Sequence, residues 1–274
     1  MNTFVIPGFE PEPSEDNDED QKVAEKYYLA IDNNMSVVLS SIPLAIVPEK
    51  HNPTFTFIQQ ITEEEHSALG NEILEEKVDF DEDNYIHCDI CDRFFRGACK
   101  DHPLFLVSDR SPKDKHKSVA PQTSPSFVKI NPSKIPNAGL GVFATSAIPR
   151  GIVFGPYKGR LIKDPKDATS DGYCWELTTK TQHCYIDGSD ENCSNWMRYI
   201  NHSMHEAEQN VIAFQYLGCV YYRVFRPIEK EEEILVYYGE SFANALLTGQ
   251  GGVCSIRKPK KKAKLTKNNP FIRM

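Results

Sequence analysis

The apolar run Trp196-Met197-Arg198-Tyr199-Ile200 stops on a polar pair, Asn201-His202, and this constrains the fold more than any other feature of the chain. A buried strand normally ends in turn residues that face solvent, whereas Asn and His side chains can both donate and accept hydrogen bonds. Further on, a second apolar stretch, Ile234-Leu235-Val236, stops on Tyr237-Tyr238-Gly239. Two apolar segments that end in amide, imidazole and phenol groups imply one site assembled from separated parts of the chain. Segment 195–239, which holds both, also carries three aromatic runs and few charges within its apolar parts.

The 274 residues suffice for one or two domains. No apolar run approaches the length needed to span a membrane, so no membrane partner is expected. The start, MNTFVIPGFEPEPSED, has neither a basic opening nor an apolar core and is not read as a secretory signal. The eight cysteines are therefore expected in a reducing compartment, where metal binding is favoured over disulfides. The net charge of −8 conceals an acidic run at 15–20 and a basic one, RKPKKKAKLTK, at 257–267. The first, within an expected disordered tail at 1–20, reads as a solubilising segment. The second, within an expected disordered tail at 248–274, reads as a solvated tail, a nuclear import signal or a nucleic-acid contact.

Residues 21–83 carry no evident chemistry. A short helix is expected over 21–31 and an extended segment from Ser36 towards Pro43. Thr62-Glu63-Glu64-Glu65 forms a capping-box pattern, so a helix is expected over about 63–76.

Residues 84–109 change character. Cys88, Cys91, Cys99 and His102 are spaced C-x2-C-x7-C-x2-H. Two residues between ligands let a tight turn offer both to one ion, and the pattern occurs twice. Three thiolates and one imidazole complete a closed tetrahedral shell, which is the structural kind of zinc site. His87 is a competing ligand that fits the paired spacing less well. Residues 110–126 read as a linker, with Pro112, Pro121 and Pro125 among Ser, Lys and Asp.

From 127 to 247 short apolar strands follow one another between Gly, Pro, Asn and Asp. The candidates are 128–130, 141–144, 152–157, 175–178, 184–186, 211–215, 220–225 and 234–238, with one short helix at Trp196–Tyr199. Gly139-Leu140-Gly141 suggests either a close backbone approach to a ligand or a plain hairpin. Glu229-Lys230-Glu231-Glu232-Glu233 reads as a solvated turn outside the chemistry.

Taken together, Gly139-Leu140-Gly141, Asn201-His202 and Glu233-Ile234-Leu235-Val236-Tyr237-Tyr238-Gly239 resemble, in order and spacing, the SET domain of lysine methyltransferases. Ile186-Asp187-Gly188-Ser189-Asp190, Asn195-Trp196-Met197-Arg198-Tyr199, the segment 208–216 and the preceding knuckle resemble its PR subclass, in particular the meiotic hotspot-type enzymes and their knuckle-bearing relatives. The resemblance covers about residues 84–247. It implies a mainly β fold of small antiparallel sheets with a C-terminal pseudoknot in which Asn201-His202 and the Tyr238 segment cross. It implies S-adenosylmethionine as methyl donor, beside the structural Zn2+ of the knuckle. The implied acceptor is the histone H3 tail, lysine-4 first and lysine-36 second, or another lysine-bearing protein, in the nucleus.

By the same resemblance Tyr238 is the catalytic tyrosine and Tyr157 and Tyr222 are further phenols of the lysine channel; core packing is the bland role for each. Ala138, Gly139, Leu140, Tyr173, Asn201 and His202 are the implied cofactor contacts. Gly172, Tyr173, Cys174, Trp175 and Glu176 form the strand expected to pair with the substrate peptide by β-augmentation. The chain keeps His202 where many PR domains do not, shows no C2H2 finger after the domain, and leaves Cys254 without a partner for a further zinc site. The competing reading is a catalytically weak or inactive PR-domain scaffold that recruits chromatin or transcription partners.

Overall fold

The computed structural model describes residues 27–32, 34–40, 57–70, 82–168, 171–179, 183–203, 207–239 and 252–256. The tails at 1–20 and 257–267 and the loop residues 204–206 lie outside these.

The N-terminal part is a three-stranded antiparallel sheet of β1 (Tyr27–Ile31), β2 (Val37–Ser40) and β3 (Phe57–Ile61), in the order β2-β1-β3. This corrects the helix expected over 21–31, as far as its described residues go. Leu29, Ala30 and Ile31 are consecutive and all buried. A strand packed on both faces buries successive residues, whereas a surface helix buries one stripe. Helix α1 (Glu63–Ala68) starts at the expected capping box: Glu65 N–H donates to Thr62 Oγ1 (3.1 Å), and Thr62 N–H donates to Glu65 Oε2 (2.7 Å). It stops earlier than expected: Leu69 is already extended, Gly70 N–H donates to the Ala98 carbonyl (2.9 Å), and Gly70 passes against the backbone of Arg96, where an added Cβ would lie 2.1 Å from a carbonyl oxygen.

After a 3₁₀ turn at Glu82–Asn84, β4 (Ile86–Cys88) and β5 (Arg93–Phe95) form the knuckle hairpin. β6 (Phe105–Val107) leaves the knuckle and pairs in parallel with a strand of the central sheet. The knuckle unit expected at 84–109 thus runs into the edge of the six-stranded central sheet. The expected linker is also built in. It contains helix α2 (Val119–Gln122), and Thr123 Oγ1 accepts from Trp196 N–H at 2.9 Å.

The remaining strands are β7 (Val128–Pro132), β8 (Leu140–Ala144), β9 (Ile152–Phe154), β10 (Arg160–Ile162), β11 (Asp171–Thr178), β12 (His183–Asp187), β13 (Asn201–His202), β14 (Val211–Tyr216), β15 (Cys219–Val224), β16 (Leu235–Val236) and β17 (Gly252–Cys254). β7 and β8 form a hairpin. A four-stranded sheet runs β10-β12-β11-β17 and a six-stranded sheet runs β13-β16-β14-β15-β9-β6. β17 lies within the tail expected to be disordered; it is held by parallel pairing to β11. The Trp196–Tyr199 segment forms a 3₁₀ turn at the position expected for a short helix.

The crossing that organises the fold lies in the six-stranded sheet. β16 is parallel to both β13 and β14, pairing Asn201 with Leu235, His202 with Val236, and Val211 with Val236. A late strand is thus inserted between two earlier ones. Trp175, Trp196, Phe154, Tyr222, Met197, Ile200 and Ile234 fill the core around this insertion. No helix among the described residues is long and apolar enough to cross a membrane.

Candidate active site and candidate metal site

The β13–β16 pairing places Tyr238, just beyond β16, against the residues flanking Asn201. Its backbone N–H donates to His202 Nδ1 (3.1 Å), and its hydroxyl donates to the Ile200 carbonyl (2.5 Å). The His202 and Tyr238 rings stack with centroids 5.4 Å apart. Trp175 of β11 sets its ring edge-on to both Tyr238 and Tyr222, 5.7 Å from each, and its Nε1–H donates to the Tyr222 hydroxyl (2.7 Å). Tyr157 lies 6.3 Å from the Tyr222 ring, and its hydroxyl donates to the Tyr173 carbonyl (2.8 Å). The three phenols singled out in the sequence therefore meet in one buried cluster. Burial, followed by neighbouring phenols and the Cys254 thiol, pushes all three well above the ordinary phenol range. They remain neutral hydroxyl groups.

Room for the Tyr157 hydroxyl depends on Gly188. An alanine Cβ there would lie 2.4 Å from the hydroxyl oxygen and 2.9 Å from Cζ. Gly188→Ala is expected to displace the Tyr157 ring, break its bond to Tyr173 and cost about 1–3 kcal/mol as an overpacked core. Denaturant unfolding of the variant checks this.

Burial lowers the His202 imidazole below its usual value, with a hydrogen bond to the Val236 backbone acting in the opposite direction. Its acceptor role towards Tyr238 N–H requires the neutral ring. The unfolded chain protonates first as pH falls, so this contribution is complete above about pH 6.5 and is lost as pH falls through the lower folded value. Thermal melting from pH 8 to pH 5 should show that loss, and His202→Gln, which keeps an acceptor, should remove it.

The loop from β7 to β8 carries Ala138 and Gly139, and Leu140 opens β8. Gly139 has φ +74°, and a Cβ built on it would meet no atom within 4 Å. Leu140 is exposed, and its carbonyl accepts from Asn201 Nδ2 at 2.9 Å. Gly141 serves another purpose than the approach of a ligand. A Cβ there would fall 2.2 Å from Glu233 Oε1, so the glycine makes way for a carboxylate. Glu233 is only 4% exposed, which corrects the solvated reading of the 229–233 run. Two residues before β16 it forms an isolated antiparallel bridge with Phe143, and Ile234 N–H donates to the Val142 carbonyl (2.7 Å).

Tyr173 lies beneath the buried guanidinium of Arg198, 4.3 Å from ring centroid to Cζ. Arg198 donates to the carbonyls of Gly188 (2.8 Å) and Ser189 (3.0 Å) and pairs with Glu191 (3.2 Å). The sequence offered one signal for it, a charge inside an otherwise apolar run.

The geometry of β11 changes the substrate expectation for Gly172, Tyr173, Cys174, Trp175 and Glu176. One edge of β11 pairs with β12. The other is met by β17 in parallel, Asp171 with Gly252 and Trp175 with Cys254. The buried Cys254 thiol donates to the Gly172 carbonyl at 3.2 Å. The outer strands of this sheet are β10 and β17, so a peptide cannot add to β11 while β17 is paired. A three-residue strand before a lysine-rich run is too short for periodicity to reveal.

In the knuckle, the ligand atoms of Cys88, Cys91, Cys99 and His102 all lie within 4.8 Å of one another. His102 Nδ1 is 3.6, 3.3 and 3.7 Å from the sulfurs of Cys88, Cys91 and Cys99, and the Cys91 and Cys99 sulfurs are 3.8 Å apart. Tetrahedral zinc with Zn–S bonds of about 2.3 Å places its sulfurs about 3.8 Å apart, so the four residues fit that ion. Burial and the adjoining thiols push Cys91 up to about 12, a crowding that a divalent cation would relieve. His87, the competing ligand, faces Asp89 (3.3 Å) and Asp92 (3.4 Å) instead.

The sequence profile described as "PR domain zinc finger protein 2, PR domain" matches residues 128–248. The chain is 44% identical over 218 residues to histone-lysine N-methyltransferase set-17 of Caenorhabditis elegans, covering 78% of this chain and 75% of that protein. It is 40% identical over 169 residues to histone-lysine N-methyltransferase PRDM7 of Homo sapiens, covering 60% of this chain and 34% of the relative. Among solved structures, the methyltransferase domain of human PR domain-containing protein 2 is similar at 30% identity and TM-score 0.41, over 48% of this chain and 91% of that one.

Proposed function

The chain belongs to the PR/SET-domain family of histone-lysine methyltransferases, and from that premise we propose that it transfers methyl groups from S-adenosylmethionine to a histone lysine in the nucleus. Histone H3 is the proposed acceptor, lysine-4 before lysine-36. The observation that carries this reading is the convergence of Tyr238, Tyr157 and Tyr222 beside the Asn201-His202 strand end.

Ala138, Gly139, Leu140, Tyr173, Asn201 and His202 would hold the cofactor. The open space beside Gly139, next to exposed Leu140 and partly exposed Asn201, fits such a group. When bound, the cofactor supplies an electrophilic methyl on a sulfonium. The chain's own contribution is orientation and desolvation. A lysine ammonium has a reference pKa of about 10.4, and a channel of buried, neutral phenols disfavours its charged form. The Tyr238 hydroxyl, anchored through the Ile200 carbonyl, would orient the neutral amine for in-line attack. Tyr157 and Tyr222 would limit the space around the nitrogen, and their faces favour the methylated cation. Cys88, Cys91, Cys99 and His102 would hold a structural zinc ion.

Mass spectrometry of a histone mixture incubated with the protein and labelled cofactor tests the reading. Label on H3 lysines is the expected result. Folded, zinc-loaded protein that neither methylates histones nor binds the cofactor at millimolar concentration would overturn it in favour of a recruiting scaffold.

A further inference from the structure

Glu233 is a buried carboxylate whose described donors are all neutral. Ser133 Oγ donates to it at 2.6 Å, Lys134 N–H at 2.9 Å and Asn201 Nδ2 at 3.2 Å. Burying a charge without a cationic partner is costly unless hydrogen bonds satisfy it. Here the three donors supply those hydrogen bonds. What the carboxylate adds is a link between separate segments: the start of the β7–β8 loop, which leads through Ala138 and Gly139 into Leu140 of β8, and the side chain of Asn201. The same Asn201 amide also donates to the Leu140 carbonyl. Ser133 in turn ties the loop to itself, its N–H donating to the Gly139 carbonyl (2.8 Å) and its hydroxyl accepting from Ile135 N–H (3.0 Å). Gly141 leaves the space the carboxylate occupies.

We infer that Glu233 is a positioning residue for the cofactor: its carboxylate holds the 133–139 loop and Asn201 in one fixed relation. It acts through those groups and need not touch the reacting atoms. The inference rests on the reading of Ala138, Gly139, Leu140 and Asn201 as cofactor contacts. A glutamine at 233 keeps the size of the side chain, but its NH2 cannot accept a hydrogen bond as the replaced oxygen does. At least one donor in the cluster is then left unsatisfied.

Titration calorimetry with S-adenosylmethionine, alongside binding of an H3 tail peptide, tests this on the full chain. Glu233→Gln is expected to weaken cofactor binding about tenfold or more, because the loop and Asn201 are no longer held ready and must be ordered at the moment of binding, with peptide affinity unchanged. Glu231→Gln is the control. Its side chain is 55% exposed and pairs with Lys129, and its cofactor affinity is expected to match the unaltered protein. Ser133→Ala, which deletes one donor in a partly exposed loop, is expected to give a smaller loss of the same selective kind even if the glutamine variant does not fold. Unchanged cofactor affinity in both variants, or equal loss of cofactor and peptide binding, overturns the inference while leaving the proposed function intact. Failure of the unaltered protein to bind cofactor removes the function and this inference together.

Discussion

Tyr238→Phe is expected to reduce methyl transfer about 100-fold or more while leaving a folded, cofactor-binding protein. The substitution removes one oxygen from a ring already fixed by its neighbours. Trp175 remains edge-on at 5.7 Å, His202 still stacks, and the backbone N–H of residue 238 still donates to His202 Nδ1. What is lost is the hydroxyl and its bond to the Ile200 carbonyl. That loss costs about 1 kcal/mol, a small part of the stability of a domain. The catalytic cost is larger because the proposed task of the hydroxyl is alignment, and a misplacement of about 1 Å can cost about 100-fold. Single-turnover transfer to an H3 peptide, measured beside near-ultraviolet circular dichroism and cofactor affinity, separates the two effects. Near-normal transfer would remove Tyr238 from the mechanism, as would loss of cofactor binding in equal measure.

The phenol cluster also marks what the sequence could and could not reveal. Tyr238, Tyr157 and Tyr222 stand at strand ends or in apolar strands, where alternation and turn residues announce each element. All eight strand candidates of the 127–247 region correspond to observed strands, because each of those strands is buried on at least one face and patterned accordingly. The two-residue strands β13 and β16 are different. Their parallel pairing is set by chain topology, and no local period encodes it. Glu233 was hidden for a related reason. It closes a run of charged residues, and local composition cannot show that the last of them turns inward just before β16. Tyr27–Ile31 reads as amphipathic until its neighbours on both sides are known. β17 lies at the edge of a lysine-rich tail, and only its pairing with β11 explains why Cys254 is buried. Ligand spacing, by contrast, is local chemistry, so the four knuckle residues could be read directly from Cys88, Cys91, Cys99 and His102.

The knuckle gives the other large expected effect. Its strands β4 and β5 have three residues each, and its buried cluster contains little beyond Cys88, Phe95 and Cys99. So small a hairpin is not stable alone in water, and in such units metal-binding free energy acts as folding free energy. Chelation of zinc, or Cys91→Ser, should therefore unfold it. The loss extends into the core through Arg223 of β15, whose side chain is 8% exposed. Arg223 Nη2 pairs with Asp89 Oδ2 at 2.5 Å, and Nη1 donates to the His87 carbonyl. Burial would raise the Asp89 carboxyl, yet His87 and Arg223 together hold it below the usual range. Asp89→Asn in the zinc-loaded protein leaves the guanidinium buried without its carboxylate, at a cost of about 3 kcal/mol. In the chelated protein that contact is already broken and Arg223 is hydrated, so the same substitution should cost almost nothing. Urea unfolding of both proteins, with and without chelator, completes a cycle whose coupling term measures how far the metal supports the core. Equal costs of Asp89→Asn in the two states would mean that the knuckle and the core are stable independently.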